Sequence, residues 1–445
     1  MGRQAARART TGHRLGATEG SEVRMTAQLS RHNRSHLLRR ELLGAVGAVG
    51  VWSVGLAGFA PAAVAADVQS KQWYLDAMGA EEIWKSATGE GIKVAVIDSG
   101  VNPDTPSLKG QVLKGIDSAE AEGDETDDYT GHGTTIAELI AGTGASGGLK
   151  GLAPDAKIIP FRISDTDFQN KNKVNAFDMR EAIRGAADSE AKIINISWGS
   201  EFYSTETRQA VEYAQSKGKL LFAAAGNTGH KANKEEYPAS YVSAVAVAAT
   251  GQDGKVAKYS QHGDYVDLAA PGSDIPFWCD KTFKGYCDGD GGTSAATAIA
   301  SASAALIWSA HPDWTANQVL RVMFESAGRG EDWKEGTVST YLGHGIVRPG
   351  AHINRGLGKP GAPNISPLTN KPTGGGSSDP AASSKPSAPA SSQAPEGKPG
   401  ADAAVAGSST KTEDDSQLGL AIGGVAAAVV LAGIAFAVVR KRRSA

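Results

Sequence analysis

Between Asp67 and Gly358 short apolar runs alternate with segments whose apolar residues recur at helical spacing. Runs over Ile92–Ile97, Lys157–Ile163, Lys192–Ile196, Leu220–Ala225, Ala244–Ala249 and Tyr265–Ala269 mostly lack the polar alternation of a half-exposed strand, which predicts strands buried on both faces. Helical spacing predicts helices over Gly133–Gly142, Ala176–Asp188, Glu206–Lys217, Thr293–Ser309 and Thr315–Ala327. Strand and helix in alternation build a doubly wound, mostly parallel α/β sheet with helices on both faces. In such sheets reactive residues collect at the carboxyl ends of the strands.

The pattern changes at both ends. Arg34, Arg39 and Arg40 precede an apolar, small-residue run over Leu42–Ala60, and Ala63-Val64-Ala65 has the small-x-small form of a signal-peptidase site. Residues 1–65 therefore read as an export signal region, with Met25 as an alternative start, and residues 66–90 as an N-terminal extension of the catalytic domain, 91–358. Pro, Gly, Ser and Ala dominate residues 359–417, a composition that predicts a disordered tether. Leu418–Val439 is an uncharged run of 22 residues, about 33 Å as a helix, and Arg440-Lys441-Arg442-Arg443 follows it in the tail, 440–445. A length matched to a bilayer core of roughly 30 Å predicts one transmembrane helix. The basic flank places the tail in the cytoplasm and the catalytic domain outside the cell.

Composition narrows the function. Hydrophobic residues at 40% supply a core, while a net charge of -3 gives no electrostatic case for a nucleic-acid partner. Two cysteines make neither a disulfide scaffold nor a Cys-rich zinc site. Cys279 and Cys287 bracket a polar loop on the outer side of the membrane, where oxidation persists, so they are expected to pair. The acidic run Asp124-Glu125-Thr126-Asp127-Asp128 lacks the spacing of a known cation loop and reads as solvated.

Four glycine-rich junctions carry the chemistry. Asp98 ends the first strand in Ile97-Asp98-Ser99-Gly100, and His132 opens a helix in Gly131-His132-Gly133-Thr134. Asn227 follows a strand in Ala223-Ala224-Ala225-Gly226-Asn227, and Ser294 starts a helix of small residues in Gly292-Thr293-Ser294-Ala295-Ala296. Singly, these positions suit a turn, a helix start, a turn and a helix cap. Together they offer a hydroxyl nucleophile, an imidazole to take its proton, a carboxylate to fix the imidazole tautomer, and an amide donor for an oxyanion.

The order Asp98, His132, Ser294 and the strings IDSG, GHGT, AAAGN and GTSAA resemble those of the subtilisin-like serine proteases, or subtilases, over roughly Gly91–Asn354. The resemblance implies Asp98 as imidazole orienter, His132 as general base then acid, Ser294 as nucleophile, and Asn227 with the Ser294 backbone N–H as oxyanion hole. It implies that Ser197, Trp198, Gly199, Ala224, Ala225 and Gly226 wall the pocket for the substrate residue before the cut, although Trp198 also suits the core. Glu236, before Tyr237-Pro238, is implied near the base of that pocket, where a carboxylate favours a basic side chain; it also suits a solvated pair with Glu235.

Two features depart from the family pattern. Ala298 stands where a proline is usual, and residues 66–90 are short for a folding propeptide. The leader, the Pro-rich linker and the C-terminal apolar run together resemble the mycosins, membrane-anchored subtilases associated with type VII secretion. That likeness implies that Asp67–Ile83 wraps the catalytic domain. The substrate is then a protein or peptide, the membrane and the type VII secretion machinery are partners, and no metal or organic cofactor is expected because hydrolysis needs only water. A non-catalytic structural or binding component of a secretion complex is the alternative reading.

Overall fold

In the computed structural model the described residues are 67–373, except 174–177, 290, 331–332 and 335. The expected leader, the apolar run 418–439, the basic tail and most of the linker lie outside them.

Three short helices come first, α1 (Asp67–Ser70), α2 (Trp73–Met78) and α3 (Ala80–Ile83). Then follow β1 (Lys93–Asp98), β2 (Ile116–Asp117), α4 (His132–Ala141), β3 (Lys157–Arg162), α5 (Thr166–Asn172), α6 (Asp178–Asp188) and β4 (Ile193–Ile196). Next come α7 (Thr205–Ser216), β5 (Leu220–Ala224), β6 (Val245–Thr250), β7 (Val266–Pro271) and a hairpin of β8 (Phe277–Trp278) and β9 (Tyr286–Cys287). The helices α8 (Thr293–Ala310), α9 (Ala316–Ser326) and α10 (Pro349–Ile353) complete the order.

Strands β1 to β7 form one parallel sheet in the order β2-β3-β1-β4-β5-β6-β7. Six of them are the strands expected from apolar runs, with ends that differ by two residues or fewer. The seventh, β2, carries a half-exposed Ile116 and has no apolar run to announce it. Alternate residues of each strand enter two separate cores. Val94, Val96, Phe222 and Val247 face α4, α8, α9 and the N-terminal helices, whereas Ala95, Ile97, Ile194 and Leu221 face α6 and α7. Both faces being dry explains why the runs lack alternation; each large apolar side chain so buried contributes roughly 1.5–3 kcal/mol.

Helix α8 lies under the sheet and is buried from Thr293 to Trp308 apart from Ser294. Its alanines and serines let it approach the strands closely, with Ser301 Oγ donating to Asn195 Oδ1 of β4 at 3.0 Å. Among the described residues it is the helix long and apolar enough to cross a membrane, but its burial makes it a core element. Its successor α9 starts with a capping box between Thr315 and Gln318, which satisfies two end groups of the chain locally.

The N-terminal helices are built into the same body. Tyr74 and Ile83 are fully buried, Gln72 exchanges hydrogen bonds with the Lys150 backbone, and the Trp73 and Trp84 indoles donate to the Ser273 and Leu152 carbonyls. At the other end, residues 359–373, which composition assigns to the tether, are folded against α9. The Pro363 carbonyl accepts from Thr315 and Asn317, Arg321 donates to the Ile365 carbonyl, and Ser366 is buried. Polar side chains of α9 satisfy that backbone, so no apolar run was needed to order it.

From β1 the chain leaves toward β2 and β3, and from β4 it leaves toward β5 on the opposite side. The carboxyl ends of these neighbouring strands, at Asp98 and Ser197, therefore stand at the point where the winding reverses, the usual place for a crevice.

Candidate active site

Asp98 ends β1 with only 1% of its surface exposed, and its Oδ1 accepts from His132 Nδ1 at 2.8 Å and from the Ser99 N–H at 2.8 Å. Since a carboxylate only accepts, Nδ1 carries the ring proton and Nε2 is left as a base. His132 begins α4 between two glycines that the geometry demands. Gly131 has φ 91°, in the left-handed region, and a Cβ on Gly133 would stand 2.1 Å from the Gly100 carbonyl oxygen. The helix start can thus press against the end of β1.

Burial pulls the His132 pKa down, but the charge of Asp98 and its hydrogen bond, with Asp128 further off, outweigh it and hold the pKa above the ordinary histidine value. The side chain is still 41% exposed, so the charged form also has access to water.

Asp128 fixes this loop. It is 6% exposed, its Oδ1 accepts from Ser99 Oγ, Thr130 N and Gly131 N, and its Oδ2 accepts from Thr134 N and Oγ1. The expectation of a solvated acidic run needs correction here. Asp124 is exposed, but Asp128 points inward, and the segment before it curls round the buried Arg162, which pairs with Asp117 and donates to the Ala121 and Glu122 carbonyls. The signal was available in the sequence: an Asp two and three residues before backbone N–H groups of a Thr-Gly helix entry is an Asx-turn pattern.

Ser294 lies in the first turn of α8. Its Oγ donates to the Ser197 carbonyl at 3.1 Å, and among the described residues no bond to His132 is formed. Ser294, His132 and Asn227 nevertheless line one cavity of about 610 Å³. The Asn227 Oδ1 accepts from Thr293 N at 2.9 Å and Thr293 Oγ1 at 3.1 Å, which fixes the amide so that its NH2 turns away from Thr293. A Cβ on Gly292 would stand 3.5 Å from Asn227 Nδ2 and 3.7 Å from Ser294 N. Asn227 Oδ1 would stand 3.7 Å from the same Cβ, so the Asn227 amide and the Ser294 N–H both lie beside Gly292.

The substrate-pocket residues divide. Ser197 is hydrogen-bonded to Ser294, and Ala224, Ala225 and Gly226 continue from β5 to Asn227. A Cβ on Gly199 would meet Glu236 Oε2 at 2.5 Å and one on Gly226 would meet the Gln261 amide at 2.4 Å, so Glu236 and Gln261 lie against these two glycines. Gln261 Nε2 donates to Glu236 Oε1 at 2.8 Å, joining them, and burial pushes the Glu236 pKa up. Gln261 was not foreseen, because nothing in its sequence neighbourhood marks it. Trp198 packs on the second core while lining a different cavity with Tyr237 and Tyr241. Cys279 and Cys287 form a disulfide that closes the β8–β9 hairpin.

A sequence model of the subtilase family matches residues 89–345. The chain is 34% identical to thermitase of Thermoactinomyces vulgaris over 278 residues, 61% of this chain and 95% of thermitase. Subtilisin BL of Lederbergia lenta is 34% identical over 236 residues, covering 53% of this chain and 82% of the relative. Among solved structures, MycP1 from Mycobacterium smegmatis has a TM-score of 0.54 at 27% identity, covering 66% of this chain and 86% of that one. A structure of the serine protease MycP1, described as an essential component of the type VII (ESX-1) secretion system, has a TM-score of 0.55 at 30% identity, covering 66% of this chain and 90% of that one. Family match and relatives coincide with the sheet and its crevice, and this chain belongs to the subtilase family of serine proteases.

Proposed function

We propose that the protein is a membrane-anchored serine endopeptidase that works outside the cell in a type VII secretion context, with Asp98, His132, Ser294 and Asn227 as its catalytic residues. The observation that carries the reading is the Asp98–His132 hydrogen bond, which leaves Nε2 as a base in the cavity that also holds Ser294 and Asn227. For the reaction the Ser294 hydroxyl leaves the Ser197 carbonyl for Nε2, exchanging one hydrogen bond worth roughly 0.5–1.5 kcal/mol for another. His132 then takes the hydroxyl proton as Ser294 attacks the peptide carbonyl, and the oxyanion forms between Asn227 Nδ2 and the Ser294 N–H. His132 returns the proton to the departing amine, and water frees the acyl group by the same route in reverse.

Anchoring is assigned to residues 418–439 on their length, apolarity and basic flank. The secretion context is drawn from the likeness to MycP1. Glu236 is assigned to favour Lys or Arg before the cut, since it lies against Gly199 of the pocket wall.

A fluorophosphonate probe should label Ser294 and fail on Ser294→Ala. Loss of secretion in cells carrying Ser294→Ala would tie hydrolysis to that process, whereas full secretion would leave the fold itself, not the reaction, as what the assembly uses.

A further inference from the structure

Away from the catalytic crevice, a cavity of about 480 Å³ opens between the N-terminal segment and the C-terminal end of the domain, and none of the residues assigned to catalysis or to the substrate pocket lines it. Trp73 and Met78 of α2 form one side, and Ile346 and Val347, which run into α10, form the other. All four are buried or half-buried, so the floor is apolar. The Trp73 indole is held in place by its bond to the Ser273 carbonyl at 3.0 Å.

The rim is cationic. Arg329, after α9, and Arg348 and Arg355, on either side of α10, line the same cavity and are exposed. Nε and Nη2 of Arg329 donate to the His344 and Phe324 carbonyls, and those of Arg348 to the Ser326 and Ala327 carbonyls, which fixes both guanidinium planes. Among the described residues neither Nη1 has an acceptor, and none of the three arginines makes an ion pair. The lining carboxylate is that of Glu82, which is paired with Lys85. Partial burial and the charges of Arg355 and Arg329 draw the Arg348 pKa down, so the three groups act on one another as uncompensated like charges.

A guanidinium fork with free N–H groups takes a carboxylate or a phosphate. The apolar floor beside it asks for an attached apolar group, which inorganic phosphate lacks, and the charged rim gives an acyl chain no apolar way out. We infer that this cavity is a second binding site, for a peptide segment in which a carboxylate adjoins a large apolar side chain, as it does at a chain end in Leu or Phe. The side chain lies on the floor between Trp73 and Val347, and the carboxylate meets the arginines. Because one wall belongs to α2, a bound peptide also fastens the N-terminal segment to the domain. The site is independent of the proposed reaction.

The test uses the full-length protein carrying Ser294→Ala, so that the probe is not cut. A fluorescent Ala-Ala-Phe peptide with a free C-terminal carboxylate is titrated beside the same peptide as its C-terminal amide, and binding is read by anisotropy. The acid should bind on the order of 10-fold more tightly than the amide, the advantage of a hydrogen bond to a charged group. Arg355→Glu should abolish that advantage. Ala77→Glu, which sets a carboxylate on an exposed position of α2 that lines the cavity, should do the same, so the result does not hang on the folding of one variant. Equal binding of acid and amide overturns the inference, and so does acid binding that neither variant weakens, which would place the peptide in the catalytic crevice. Displacement of the probe by phosphatidylglycerol vesicles or by inorganic phosphate, at the concentration at which unlabelled Ala-Ala-Phe displaces it, would overturn the peptide as occupant in favour of a lipid headgroup or a free anion.

Discussion

Ser294 Oγ donates to the Ser197 carbonyl at 3.1 Å, and Ser197 Oγ donates back to the Ser294 carbonyl at 3.1 Å. The exchange ties α8 to the end of β4, and Asn195 Nδ2 extends it by donating to Ser197 Oγ at 2.9 Å. Ser197→Ala leaves the fully buried Asn195 amide without that acceptor, a loss of about 1–3 kcal/mol. Denaturant unfolding should show the lower midpoint while the fluorophosphonate probe still labels Ser294; an unchanged midpoint would mean that water replaces the bond at no cost.

The pH dependence follows from Asp98. Only the neutral imidazole accepts the Ser294 proton, and the His132 pKa is held above its ordinary 6.5. kcat/KM should therefore rise with pH along a limb whose midpoint lies above 6.5. Asp98→Asn removes the charge and the tautomer control together, moving the limb down and lowering kcat by roughly 10⁴-fold. A wild-type midpoint at or below 6.5 contradicts the assignment.

Asn227→Leu removes one of the two donors beside Gly292 without touching Asp98 or His132. The expected loss is about 10²–10³ in kcat with little change in KM, because the donor acts on charge that develops in the transition state. Steady-state kinetics on one peptide decides it, and a loss confined to KM would place Asn227 in substrate binding instead.

Peptide-library cleavage should show Lys or Arg before the cut, and Glu236→Gln should erase that preference while neutral residues are cut as before or better. A wild-type profile indifferent to basic residues would leave Glu236 as a partner for Gln261 only.

Glu138 makes stability depend on pH. Burial pushes its pKa up to about 7 from 4.5, although Tyr286 and Thr105 donate to it. Between these values the unfolded chain releases a proton that the folded chain keeps, so stability falls as pH rises through the window and stays lower above it. The gap corresponds to about 3 kcal/mol. Denaturant unfolding of Glu138→Gln and the parent at pH 5 and pH 8 should show the variant gaining on the parent by roughly that amount.

The sheet was legible because two dry faces leave continuous apolar runs, and Asp98, His132, Asn227 and Ser294 stood out as candidates because each sits in a distinctive glycine-rich junction. Local reading failed where a residue acts across the fold. Asp128 looks like surface charge until Thr134 and Ser99 close round it, and Gln261 gains a role only when the turn after β6 brings it under Gly226. The order in residues 359–373 was hidden for a related reason, since it depends on side chains of α9 reaching backbone carbonyls rather than on any periodicity of its own.

Tyr74 and Ile83 sit inside the first core, while the stretch from Lys85 to Gly91 that links them to β1 is partly exposed. A proteolytic nick in that stretch should yield two fragments that run separately on a denaturing gel yet co-elute as one particle under native conditions. The N-terminal segment would then behave as a captive subunit of the enzyme, not as a leader to be discarded.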